Sequence, residues 1–302
     1  SAGSSNPLTP MKGFFEGRTL VIASMHRKEE VLKPLLEQGL GITVQVAEGL
    51  NTDLLGTFSG EVARLADPLT TARKKCELAL DLSGCDLALA SEGSFGPHPA
   101  AFFLPANEEW LLLVDRKNKL EIHARHLSLE TNFSGQEFHS IEELEAFASK
   151  VGFPSHGLIL RKSKEELTGM HKGITDPQQL RTSAVLLLER QKSGYVETDM
   201  RAMYNPSRML VIGETAQLLL QKLNSHCPSC QVPGFSVTSA EPGLPLASAA
   251  PQAALLWHTC SIAVTANTKP KSPSRMVKKR RTPSIAKFAI PNPLPSHSIW
   301  FF

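Results

Sequence analysis

An apolar strand followed at once by a polar turn and an amphipathic helix constrains the fold of this chain more than any other feature of its sequence. The run Thr19–Ala23 is apolar and rich in β-branched residues, which predicts a buried strand. From Lys28 to Gln38 apolar residues recur at helical spacing, and Ile42–Val46 again has the composition of a strand. This order of strand, helix and strand predicts an α/β protein.

Short sequence signals mark where later helices begin. An Asp or Asn followed by Pro predicts a helix start, because the first side chain accepts backbone N–H bonds and proline fits the first helical position. Three such dipeptides occur, namely Asp67-Pro68, Asp176-Pro177 and Asn205-Pro206. Ser140 and Glu143 have the spacing of a capping box, which predicts a helix that ends at Lys150.

Further apolar segments complete the predicted sheet. The predicted strands lie at 86–90, 109–115, 120–127, 156–161 and 195–198, and the second and third of them form a hairpin through 116–119. Gly and Pro are so dense in Ser91–Pro99 that this segment is predicted to be a loop. The predicted fold is therefore α/β, with a mixed central sheet flanked by helices.

Charge is distributed unevenly along the chain. The formal net charge is +3, but eight Lys or Arg and no Asp or Glu follow Glu241, which leaves 24 basic and 29 acidic residues in 1–241. We do not expect an acidic body of this kind to bind nucleic acid. From Pro242 onward Ala, Pro, Ser, Thr and Lys predominate without periodicity, which predicts disorder. The predicted segments are a flexible N-terminus at 1–17, an α/β domain at 18–225, an appendage at 226–241 and a disordered tail at 242–302.

Cysteine usage and hydropathy favour the cytoplasm. Five cysteines, unevenly placed, make a poor disulfide framework and favour a reducing compartment. No apolar run reaches the roughly 20 residues that a bilayer span requires. The first residues also lack the layout of a secretory signal. We therefore expect a cytoplasmic protein that does not contact a membrane.

Polar residues cluster where predicted strands end, which is where open α/β sheets bind their ligands. The turn after the first strand contains His26 and Lys28 at a helix N-terminus, where backbone amides and the lysine charge favour an anion such as phosphate. The alternative is a solvated first helical turn. The segment 51–61 offers oxygen ligands for a hard cation such as magnesium, or is a plain surface loop. Its candidate residues are Asp53, predicted as a magnesium ligand, and Thr57 and Ser59, predicted to bind the substrate or its phosphate.

A carboxylate just past a predicted buried strand is the most informative candidate. Glu92 is expected to be desolvated on one side and to need a cation or a donor, so we predict that it is a metal ligand or a general base. Ser91 and Ser94 are predicted to bind the substrate beside it. His98, held between two prolines, either donates to the substrate or stabilises the loop.

Two further acids lie at the end of the last predicted strand. Glu197 and Asp199 project to the same side if the strand continues through them, and they repel each other unless a cation or Arg201 neutralises them. The pattern predicts either a magnesium site, with Asp199 as a catalytic residue, or an internal salt-bridge network. The residues predicted to bind phosphate here are Arg201, Arg208 and Lys172.

Five motifs stand out along the body of the chain. They are Ser24-Met-His26-x-Lys28-Glu29, Gly56-Thr-Phe-Ser-Gly-Glu61, Ser91-Glu-Gly-Ser-Phe-Gly-Pro-His-Pro99, Phe153-Pro-Ser-His156-Gly157, and Glu197-Thr-Asp-Met-Arg-Ala202 with Asn205-Pro-Ser-Arg208-Met209. Together they resemble a bacterial family of uncharacterised proteins with a domain of unknown function, over about Arg18 to Phe235. That resemblance implies little about activity.

The layout is also similar, more distantly, to nucleoside triphosphate pyrophosphatases of the inosine triphosphatase and Maf type. The similar segments are Ser24–Lys28, Gly56–Phe58, Thr71–Leu80 and Ala90–Gly93. This similarity implies that Lys28 contacts phosphate and that Glu92 serves the magnesium or the water.

The resemblance to the uncharacterised family further implies a small zinc ribbon at the end of its members. Cys227-Pro-Ser-Cys230 is similar to its first half, but the second pair is absent, so the predicted zinc site is incomplete and Zn²⁺ is expected only in relatives with an intact ribbon. One hypothesis is a frameshift near Pro245, since a shifted reading of Leu246-Ala247 and Ala249-Ala250 permits a second Cys-x-x-Cys. The alternative is a natural basic tail that binds RNA or DNA.

These patterns together predict a function. The first reading is a magnesium-dependent phosphohydrolase or pyrophosphatase that acts on a small, nucleotide-like phosphorylated molecule. The alternative is a non-enzymatic module that uses the same loops to bind a ligand or nucleic acid.

Overall fold

The computed structural model describes residues 13–47 and 67–236. The predicted site residues Asp53, Thr57 and Ser59, and the predictions for the tail after Glu241, lie outside these ranges. Within them, no helix combines the length and the apolar character that crossing a membrane requires.

Five strands form the first sheet. Its elements along the chain are β1 (Thr19–Ala23), α1 (Glu29–Leu40), β2 (Thr43–Val46), α2 (Pro68–Ser83), β3 (Leu87–His98), β4 (Ala101–Asp115) and β5 (Leu120–Ser128). The strand order is β2-β1-β3-β4-β5, in which β1 is parallel to β2 and β3 while the other pairs are antiparallel. The predicted α/β class, with a mixed central sheet and flanking helices, is confirmed.

Different helices cover the two faces of this sheet. α1 and the long helix α5 (Pro206–Leu223) pack on one face, and α2 packs on the other. Side chains alternate along β3, so Leu87 and Leu89 face α1 and α5, while Ala88 and Ala90 face α2. The polar residues that follow in β3 alternate between the two faces in the same way.

Four short antiparallel strands form a second sheet. Its elements are β6 (Gly135–Phe138), α3 (Ile141–Lys150), β7 (Leu158–Arg161), β8 (His171–Ile174), α4 (Pro177–Gln191) and β9 (Gly194–Thr198). The strand order is β6-β9-β7-β8, and Phe138, Phe147 and Leu160 belong to a separate apolar cluster between this sheet and its helices. A 3₁₀ helix at Ala202–Tyr204 leads back into α5 on the first sheet.

The predicted helix starts are confirmed by their hydrogen bonds. In each, the capping side chain accepts from the backbone N–H three residues along the chain, at 2.7 to 3.2 Å. The capping residues are Asp67, Ser140, Asp176 and Asn205.

The loop predicted at Ser91–Pro99 is wrong, because β3 continues to His98 and turns back directly into β4. Past Ala90 no residue of β1 pairs with β3, so within the described ranges the far end of this strand is an edge, a position at which proline is tolerated. Glycine and proline therefore mark a two-stranded arm here rather than an irregular loop.

Candidate functional site

The carboxyl ends of β1 and β3 lie side by side in the first sheet. The chain runs from β1 to β2 on one side and then returns to β3 on the other side, so the strand order reverses between β1 and β3. β1 stops at Ala23, which pairs with Ala90, whereas β3 runs on past it. The helices that connect β1, β2 and β3 lie on opposite faces of the sheet. Open α/β sheets bind ligands in the crevice at such a switch point. The first group of candidate residues lies there.

Lys28 places a buried amine in this crevice. Its Nζ donates to Ser91 Oγ on β3 at 2.7 Å, and only 4% of the residue is exposed. Burial lowers the pKa of Lys28 to about 7, and the neighbouring charge of Arg208 acts in the same direction. Glu109 and Glu92 oppose this shift. The amine is therefore near its titration midpoint at neutral pH.

The turn that carries Lys28 has a strained backbone. His26 and Arg27 both adopt left-handed φ angles, 70° and 61°. This conformation costs a non-glycine residue about 1 kcal/mol or more, and such strain concentrates at ligand-binding sites. The geometry of the turn thus supports a role for this edge of the sheet in binding.

Glu92 lies on the opposite face of β3 from Ser91 and pairs with a lysine of α2. Lys75 Nζ is 2.5 Å from Glu92 Oε1, and the two side chains are 11% and 4% exposed. The charges of both residues also act on Lys28. The pair therefore lies close enough to the crevice to influence a ligand bound there.

A second buried ion pair joins β4 to α5. Arg208 Nε donates to Glu109 Oε1 at 2.7 Å, and Arg208 Nη1 donates to the carbonyl of Met200 at 2.6 Å. Gly93 leaves room for the pair, since a Cβ at this position would lie 2.4 Å from both Arg208 Nη2 and Glu109 Oε1. The guanidinium carbon of Arg208 also lies 5.2 Å from the ring centroid of Phe95.

We call the six residues of this region the buried cluster: Lys28, Lys75, Ser91, Glu92, Glu109 and Arg208.

The acids at the end of β9 belong to a separate group. Glu197 pairs with Arg161 of β7. Asp199 accepts from Arg201 Nη2 at 2.6 Å and from the backbone N–H of Gly173 at 3.0 Å. Burial raises the pKa of Glu197, and Arg161 opposes that shift. These contacts form an internal salt-bridge network, one of the two alternatives that the sequence leaves open.

Comparison with known proteins places the chain in a family. A domain of unknown function, DUF6671, matches residues 75–279. The chain belongs to this family. The matched region of this DUF6671 protein includes Lys75, Glu92, Glu109 and Arg208 of the buried cluster. A search of the curated proteins found no match.

The fold of this chain brings four predicted ligand-binding residues into the buried cluster. They are Lys28, Ser91, Glu92 and Arg208. The second group contains Glu197, Asp199, Arg201 and, by its electrostatic effect on Glu197, Lys172. The two groups are joined through Met200, whose carbonyl accepts from Arg208.

Two predicted residues lie along the β3–β4 arm. Ser94 Oγ donates to Glu108 at 3.4 Å. His98 is seven residues beyond Ser91 on an extended strand, roughly 23 Å away. Its Nδ1 accepts from the backbone N–H of Ala100 at 3.2 Å. His98 therefore stands outside the buried cluster and has a local contact at the tip of the arm.

Sequence reasoning misses two members of the cluster, although both carry a periodic signal. Lys75 lies in the apolar stripe of α2, between Ala72 and Ala79. Glu109 lies on the same face of β4 as Leu111, which belongs to the core. Each is a charged residue at a position where the periodicity of its helix or strand predicts an apolar one, and this feature could have identified both residues.

The described carboxylates do not fit a metal centre. Within 13–47 and 67–236, no three His, Cys, Asp or Glu side chains are arranged to hold a metal ion. Glu92, Glu197 and Asp199, predicted as magnesium ligands, each lie against a basic side chain. Cys227 and Cys230 lie in a turn in which the N–H of Cys227 donates to the carbonyl of Val232 at 2.9 Å.

Proposed function

We propose that this protein binds a small, nucleotide-like phosphorylated molecule at the carboxyl ends of β1 and β3, and that it hydrolyses a phosphate ester or anhydride bond. The observation that carries the proposal is the environment of Lys28. Among the described residues, its buried Nζ forms a hydrogen bond only with the hydroxyl of Ser91. Buried ammonium groups normally lie against a carboxylate or another anion, so an anionic ligand would complete this contact.

The charge balance of the buried cluster supports the same conclusion. Its side chains supply three basic groups, Lys28, Lys75 and Arg208, and two carboxylates, Glu92 and Glu109. Each carboxylate is already paired with one of the other two cations. The excess positive charge therefore falls on Lys28, and a phosphate group would neutralise it.

The cluster also suggests separate roles for its members. Lys28 and Ser91 would hold the phosphate, and Arg208, fixed by Glu109, would stabilise its negative charge. Glu92, held by Lys75 and close enough for its charge to act on Lys28, would take a proton from the attacking water. Because the described carboxylates do not form a metal site, we assign no step to magnesium. The effect of magnesium is measured by running the assay with and without it.

A non-enzymatic binding module is the second candidate. It is favoured by the pairing of each acid of the buried cluster with a basic side chain, which stabilises the carboxylate as an ion and makes it a weaker base. In that case the same cluster binds the phosphorylated molecule and releases it unchanged.

The test is an assay of the full-length protein with nucleoside mono-, di- and triphosphates, with and without magnesium. Binding and the release of phosphate or pyrophosphate are both measured. Hydrolysis that Glu92→Gln abolishes while binding persists supports the enzyme, whereas binding without turnover supports the module. Glu137→Gln, at an exposed position of β6, is the matched control. If no compound in the panel binds, both proposed functions are ruled out.

A further inference from the structure

A buried amide lies next to the cluster and is not used by it. Asn107 is 1% exposed on β4, and neither its Nδ2 nor its Oδ1 has a hydrogen-bond partner among the described residues. Burying both ends of a carboxamide without partners is destabilising, and folded proteins rarely leave such groups unsatisfied. The unsatisfied amide therefore indicates that a bound ligand completes the hydrogen bonds of Asn107.

The register of the β3–β4 pair shows where this amide lies relative to Lys28. Ser91 pairs with Leu111, Gly93 with Glu109, and Phe95 with Asn107. Residues two apart on a strand share a face, so these three rows lie in line on the face covered by α1 and α5.

Distances along this line match an elongated ligand. Ser91, which holds Lys28, is four residues along β3 from the row of Asn107, about 13 Å at the rise of a strand. The pair Glu109–Arg208 occupies the row between them. A nucleoside phosphate that contacts both ends would lie against this pair, and it is long enough to place its phosphate near Ser91 and its base near Asn107.

We infer that Asn107 recognises the base of the ligand, so that the substrate class of the site is a nucleoside phosphate rather than a sugar phosphate or a free phosphate. This inference rests on the proposed function. A carboxamide presents a donor and an acceptor side by side, and this arrangement matches the edges of nucleobases, as in the bidentate bonds of asparagine to adenine. A free phosphate offers only acceptor oxygens to the carboxamide, and a sugar offers rotating hydroxyls in place of the fixed planar edge of a base.

The experiment compares affinities for ADP, GDP, CDP and UDP with those for ribose 5-phosphate and pyrophosphate, which lack a base. In the wild-type protein, at least one nucleoside diphosphate binds about tenfold or more tightly than the base-free compounds. In Asn107→Leu this preference is lost and pyrophosphate binding is unchanged. Gln136→Leu, an amide-to-leucine change at an exposed position, retains the preference.

Thermal unfolding without ligand provides a second readout. Asn107→Leu replaces an unsatisfied amide by an apolar side chain of similar size, so its Tm is expected to rise. A purely structural amide would give a lower Tm and unchanged ligand preference, which overturns the inference. Asn107→Ser tests the same loss of preference if leucine prevents folding.

The outcomes separate this inference from the proposed function. If wild type and both Asn107 variants bind pyrophosphate and nucleotides equally well, the role of Asn107 is wrong and the phosphate site stands. If wild type binds neither pyrophosphate nor any nucleotide, the proposed function fails and this inference fails with it.

Discussion

Arg208 Nε lies 2.7 Å from Glu109 Oε1, and both side chains are almost completely removed from solvent. The two residues are 99 positions apart in the chain, so this contact fixes the N-terminal turn of α5 against the middle of β4. It also places a guanidinium one row away from Ser91, which holds Lys28. The pair therefore contributes both to the packing of the first sheet and to the electrostatics of the proposed site.

Removing one partner of this pair should strongly destabilise the protein. We expect Glu109→Gln to lower the free energy of unfolding by about 3–5 kcal/mol, because it leaves the Arg208 charge buried without its carboxylate. Urea unfolding followed by circular dichroism measures the change. Glu145→Gln is the control, since Glu145 and Arg181 pair at the surface with more than half of each side chain exposed, and we expect a loss of at most about 1 kcal/mol. Equal losses in the two variants would contradict the account.

Gly93 should tolerate no side chain. A Cβ at this position would lie 2.4 Å from both Arg208 Nη2 and Glu109 Oε1, so Gly93→Ala must displace the pair and should cost about 1–3 kcal/mol in unfolding free energy. Gly96→Ala is the matched control on the same strand, since no atom lies within 4 Å of a Cβ there. A change of less than about 0.5 kcal/mol is expected for the control. If Gly93→Ala unfolds like wild type, the packing around the pair is wrong.

Lys28 should make the free energy of unfolding depend on pH in the neutral to alkaline range. Its pKa is about 7 in the folded protein and 10.5 when exposed, so between these values the unfolded chain binds more protons than the folded one. The unfolding free energy should therefore rise as pH increases from 7 to 10, by on the order of 3 kcal/mol from this residue. Lys28→Met should lack this increment. Urea unfolding at several pH values measures the difference, and parallel curves for the two proteins would refute the lowered pKa.

The local elements of this fold are predictable because their signals are local. The bounds of β1 agree with the predicted strand Thr19–Ala23, and each helix that begins with Asx-Pro is capped as its sequence indicates. These features depend on residues within one turn or one strand.

The arm and the pairing of charges are less predictable because they depend on distant partners. Gly93 looks like a loop residue until Glu109 and Arg208, which need the space of its missing side chain, are placed beside it. Asp199 looks like a metal ligand until the backbone N–H of Gly173 and the side chain of Arg201 are seen to bind it. The sequence thus identifies which residues are unusual, whereas the tertiary structure determines which of them meet.

The most direct test of the central claim is calorimetric titration with inorganic sulfate at pH 7.5. Sulfate resembles phosphate but has no proton that titrates near neutral pH, so any proton taken up from the buffer on binding is gained by the protein. If an anion completes the contacts of Lys28, its pKa rises on binding, and we expect uptake of about half a proton or more, revealed by comparing buffers of different ionisation enthalpy. Lys28→Met should bind at least about tenfold more weakly and take up no proton. Sulfate binding of equal strength in both proteins, or binding without proton uptake, would contradict the account.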